Sequence, residues 1–229
     1  MPELSGIVYT VTTWILPILF AITLHEAAHG YCALVFGDNT AQRNGRLTLN
    51  PVNHIDPFGT VVLPGFLLLL GGFVFGYAKP VPVNFAALKN PKRDMIWVAA
   101  AGPAMNIGLA LGSAILMHAA LVAPDFAGQW LQLNLQNSIV INLILAVFNM
   151  LPIPPLDGGR VAVGLLPRDL AAPLARVEPY GILIVIGVLF LLPFIGSEFG
   201  LNLNIFSWVI LPIVESLYSI IMTLAGWGG

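Results

Sequence analysis

The sequence predicts an all-α polytopic membrane protein of about five transmembrane helices, with a re-entrant hairpin and a short β-hairpin close to a cluster of polar residues. Three observations carry that prediction. Of the 229 residues, 58% are hydrophobic and only 9% charged, where soluble chains run nearer a quarter charged. The apolar residues fall in runs long enough to cross a bilayer, which takes about 20 residues of helix. Lys and Arg gather in some loops and are missing from others, the asymmetry that orients membrane proteins. One integral membrane domain over residues 1–229 is expected, with its core at 6–160 and C-terminal helices at 180–225.

The first helix is expected over 6–36, with Pro17 as a bend and Gly37-Asp38 as its stop. Asn44-Gly45 between short flanks, with Leu47 and Leu49 alternating about Thr48, reads as a β-hairpin over Arg43–Leu49. Its exposed edge would offer an unwound peptide a place to pair as an added strand. Residues 59–78 are apolar but interrupted by Pro64, Gly65, Gly71, Gly72 and Gly76, which suits a re-entrant hairpin. Convincing spans follow at 95–122 and 131–151, then apolar segments at 180–194 and 205–224.

Basic residues set the topology. Lys and Arg stand at 43, 46, 79, 89, 92, 93, 160, 168 and 176, while the loops around Asp125 and Glu198 have none. Placing every basic cluster in the cytoplasm requires five crossings and a 59–78 segment that enters and leaves on one side.

The chemistry centres on His25-Glu26-Ala27-Ala28-His29. Two histidines four apart stack on one face of a helix, where both imidazoles reach one metal ion. Glu26 beside them is placed to act as a general base, which is the zincin arrangement around one Zn²⁺. Such residues in a membrane helix are costly and usually functional. On the predicted topology, Asp157 at the inner end of the third span lies at matching depth and supplies a third ligand, leaving a fourth position open.

At these residues the chain resembles the site-2 proteases, the zinc intramembrane metalloproteases, in their compact prokaryotic branch without PDZ or CBS domains. The resemblance rests on His25–His29 together with Asn149, Pro152-Ile153-Pro154-Pro155 and Leu156-Asp157-Gly158-Gly159. Gly45–Pro51, His54–Thr60, Ala78–Asn84 and Ala101-Gly102-Pro103 through Asn106 extend it. It implies one zinc held by His25, His29 and Asp157, with Glu26 as base and Asn149 near the substrate or oxyanion. Asn106 is a candidate for the same substrate role; for both asparagines, hydrogen bonding between helices is the competing reading. His54 is read as an outer partner of the site, a spare ligand or a loop cap, and His118 as a packing residue.

The implied partners are transmembrane protein substrates and the lipid bilayer, in a prokaryotic inner membrane with the site toward the cytoplasm. A net charge of −2 without a basic aromatic patch points away from nucleic acid, and no dinucleotide cofactor is expected. Cys32 is the lone cysteine, which excludes an internal disulfide. With Glu3 where a signal peptide has a basic region, the N-terminus is expected to stay attached. The competing classes are a catalytically silent membrane adaptor or chaperone, and a metal transporter. The first has no need of Glu26, and the second usually needs sites strung along a pathway.

Overall fold

Six helices, labelled here in chain order, carry the architecture. The computed structural model describes residues 2–62 and 79–228. Helix α1 covers Pro2–Val35, α2 Pro91–Ala120, α3 Asp125–Asn149 and the short α4 Asp157–Leu165. A continuous but irregular helical stretch, α5, runs through Arg168–Glu198, and α6 through Phe206–Leu224. Among the described residues, α1 from Tyr9 onward, α2, α3, α5 and α6 are each long and apolar enough to cross a membrane. All are helices because lipid offers no partner for an open backbone. The fourth of these begins at Arg168, well before the expected start at 180. Its first turns carry Arg168, Asp169 and Arg176, which disguise it as a loop in the sequence.

The packing is tightest among α1, α2 and α3. Ala110 and Ala114 of α2 lie fully buried against Ile139 and Leu143 of α3, and Ile210, Val214 and Ile221 of α6 close the same core. Small residues on α2 let the backbones approach, as helices in lipid require. At the opposite end of α2, the indole of Trp227 donates to the Ala114 carbonyl and stacks on His118. His118 is therefore a packing residue, as expected.

The β-hairpin expected at Arg43–Leu49 does not form, and there is no strand among the described residues. Thr40–Arg43 is one turn of helix instead. Asn44-Gly45 ends it: Gly45 takes φ +62°, its N–H donates to Gln42 O, and Arg46 N–H donates to Ala41 O. That pair of bonds is a Schellman cap, so the Asn-Gly signal reports a helix end and Arg46–Asn50 continues without a ladder partner. The re-entrant hairpin expected at 59–78 falls mostly outside the described residues. Its described part, 59–62, belongs to a helical turn over Pro57–Val62, with Phe58 and Gly59 N–H donating to Asp56 Oδ1.

Candidate metal centre

Helix α1 delivers His25 and His29 to one face, both buried. Their Nε2 atoms lie 3.0 Å apart. Asp157, the first residue of α4, brings Oδ2 to 3.2 Å from His25 Nε2 and 3.3 Å from His29 Nε2. The junction between α3 and α4 makes this placement. Gly158 and Gly159 lie so close to the Met150–Pro154 backbone that a Cβ on Gly159 would stand 2.7 Å from Pro154 Cα. Without side chains there, α4 starts directly on the loop and points its first carboxylate inward.

Protonation at the triad is fixed from behind. His29 Nδ1 donates to Val98 O at 2.7 Å, and His25 Nδ1 to Asn106 Oδ1 at 2.5 Å. Asn106 Oδ1 must be the acceptor, because Asn106 Nδ2 donates to the Ala21 carbonyl and to Asn142 Oδ1. Asn142 Nδ2 in turn donates to Ser138 O on α3. With both Nδ1 atoms carrying hydrogen, both Nε2 atoms present lone pairs to the Asp157 carboxylate. Asp157 Oδ2 is buried and meets no hydrogen-bond donor.

Three converging acceptors repel one another unless a cation sits among them. Their spacing matches that test, since a tetrahedral ion with bonds of about 2.0–2.2 Å has ligand edges of roughly 3.3 Å. Among the described residues, His25, His29 and Asp157 are the group able to hold a metal ion. Gly102 leaves the fourth side open: a Cβ there would lie 2.6 Å from His25 Nε2 and press on His29 Nε2. In the sequence, Gly102-Pro103 enters as part of the family resemblance, without a role at the metal.

The other predicted site residues separate. Glu26 is half-buried one position along α1, and its Oε2 accepts the Val81 N–H at 2.8 Å. Asn106 is fully buried with both ends of its amide engaged, its Oδ1 accepting from His25 Nδ1 and its Nδ2 donating to Ala21 O and Asn142 Oδ1, contacts that match the reading of it as a hydrogen-bonding residue between helices. Asn149 ends α3, half-buried, with Nδ2 donating to Leu145 O. His54 lies outside the triad. Its Nε2 donates to Thr48 O and its backbone carbonyl accepts from Lys79 N–H, contacts of the loop-capping kind, while its buried Nδ1 meets no hydrogen-bond partner. Two contributors escaped the sequence reading. Asn142 was detectable as an amide at membrane depth. Asp38, buried beyond the end of α1, joins Thr40 to the distant Asn84 through its carboxylate.

A helical bundle of membrane-crossing length with two imidazoles and a carboxylate facing one interior point defines an integral membrane protein of the metalloenzyme kind. A model of peptidase family M50 matches residues 111–194, which include Asp157. YwhC of Bacillus subtilis, provisionally named a zinc metalloprotease, is 40% identical over 195 residues, covering 80% of this chain and 81% of its own. Rip2 of Mycolicibacterium smegmatis and Rip2 of Mycobacterium tuberculosis, named in the same way, are 33% and 30% identical, each over 79% of this chain and 67% of their own. The chain belongs to peptidase family M50. No solved structure matches it.

Proposed function

We propose that this protein is an intramembrane zinc metalloprotease that hydrolyses peptide bonds of transmembrane substrates, with His25, His29 and Asp157 as zinc ligands and Glu26 as general base. The observation that carries the reading is the convergence of three lone-pair donors, spaced for one ion, at the lipid depth of α1 and beside an acid. Zinc held there supplies Lewis-acid activation of water and of the scissile carbonyl near neutral pH. Glu26 accepts the proton that water gives up on attack, at the carboxylate oxygen free of Val81, and passes it to the leaving amine. Asn149 retains one amide hydrogen beyond its bond to Leu145 and is the candidate donor to the developing oxyanion.

A substrate helix hides its carbonyls in its own hydrogen bonds and must unwind before attack. An apolar groove of about 670 Å³ between α1 and α2 is lined in part by Ala27 and Ala28, which stand between the two histidines in sequence, and by Ala101 and Ala104, which flank Gly102-Pro103. It gives such a helix a lipid-facing approach. The clustering of the basic residues supports a site on the cytoplasmic side of a prokaryotic inner membrane. The test is Glu26→Gln. Zinc content should stay at the wild-type value while cleavage falls by about 10²–10⁴-fold. Membrane proteomes from cells carrying wild-type and Glu26→Gln enzyme should then differ by cleavage products ending within transmembrane segments. Identical proteomes would contradict the reading.

A further inference from the structure

Glu26 is held by a single backbone amide from a distant part of the chain. Val81 N–H donates to Glu26 Oε2 at 2.8 Å, across 55 positions of sequence. Val81 stands between Pro80 and Pro82, neither of which has an N–H, so it is the one donor in that tripeptide. We propose that Val81 is a positioning residue for Glu26, clamping one carboxylate oxygen so that the other faces the reacting water, and that Gly30 exists to admit the clamp. The proposal rests on the metalloprotease reading given above.

The segment that carries Val81 is fastened on both sides of it. Lys79 N–H donates to His54 O at 2.9 Å, and the Arg46 guanidinium reaches the Lys79 and Pro80 carbonyls at 3.0 and 3.4 Å. Beyond Val81, Asn84 N–H donates to Asp38 Oδ2 at 2.7 Å and Lys89 N–H to Phe36 O at 3.0 Å. The Val81 side chain is itself buried, 6% exposed. It rests on Gly30, one turn along α1 from Glu26. A Cβ on Gly30 would stand 2.9 Å from Val81 Cγ1 and 2.9 Å from Leu47 Cδ1. Leu47 can answer by turning the end of a flexible side chain. Val81 cannot, because a β-branched side chain is stiff at χ1, so its backbone must move away and take the N–H with it. A shift of about 1 Å at a catalytic group is enough to cost on the order of 100-fold in rate.

The experiment uses the full chain in detergent with a fluorescent membrane reporter whose single leucine-rich transmembrane helix is interrupted by glycine. Turnover, KM and zinc content are read for the wild type, Glu26→Gln, Gly30→Ala, Gly30→Ala/Val81→Ala, and Val81→Pro. The clamp predicts that Gly30→Ala lowers kcat by roughly 10- to 100-fold with KM and zinc unchanged. It predicts that Val81→Ala in the same chain restores most of that loss, since it removes Cγ1 and keeps the N–H. Val81→Pro, which deletes the donor without adding bulk at Gly30, should lower kcat with zinc retained. Wild-type kcat in Gly30→Ala or Val81→Pro, or a Gly30→Ala defect that carries zinc away or resists Val81→Ala, overturns the proposal. Cleavage absent from the wild type or surviving Glu26→Gln counts against the metalloprotease reading itself.

Discussion

Asn106 illustrates how much of the site depends on atoms behind the ligands. Its carbonyl oxygen fixes the His25 tautomer, and its amide group is fixed by Ala21 and Asn142. Outer partners of this type hold metal-binding imidazoles in orientation, and removing them typically weakens affinity about 10–100-fold. Asn106→Ala should therefore lower zinc affinity by that factor in competition with a chelator while the protein stays folded. Unchanged affinity would show that His25 needs no such support. His25 and His29 were legible because a four-residue spacing on a helix leaves little choice of direction. For Asn106 the sequence left two readings open, because an amide can serve a substrate or a neighbouring helix equally well, and its hydrogen bonds depend on how α1, α2 and α3 pack. Val81 acts through its backbone, for which the residue type carries almost no signal.

Loops at the triad end of the bundle are held by side chains more than by regular structure. Asp38 is the clearest case. It accepts from the N–H and hydroxyl of Thr40 and, through its other oxygen, from Asn84 N–H. Burial pushes its carboxyl up, but those hydrogen bonds outweigh burial and hold it below the usual carboxylate range. Because the folded value is the lower one, the stabilisation is complete above the unfolded pKa of about 3.9 and fades as pH falls through the folded value. Asp38→Ala should cost about 1–3 kcal/mol at neutral pH, since it removes the charged acceptor shared by the Thr40 and Asn84 N–H groups. Unfolding in detergent measures this, and the gap between variant and wild type should narrow in acid. At this scale the Asn-Gly pair misled because the same left-handed glycine serves a hairpin and a helix C-cap. What distinguishes them is whether the preceding residues, here Thr40–Arg43, wind into a turn.

The molecule as a whole is ordered by two asymmetries, apolar runs that set the helices and basic residues that set their direction. The first was legible, since lipid leaves few options for the backbone; the second is an expectation about direction that topology mapping can test. Less legible was the start of α5, where an amphipathic first stretch carries the charges of a surface loop. If the three basic clusters share one side, single cysteines placed in a Cys32→Ser background should separate cleanly. Lys89→Cys and Arg168→Cys should label from the cytoplasm, and Asp125→Cys and Glu198→Cys from the opposite face. Labelling of Lys89→Cys from outside would break the five-crossing arrangement. The triad joins α1 to α4 across that bundle, so the account stands on one ion linking them. Zinc stoichiometry of the purified Asp157→Ala chain, set beside the wild type by plasma mass spectrometry, tests this most directly. One zinc per wild-type chain and almost none in the variant is the predicted result; full zinc without Asp157 would contradict it.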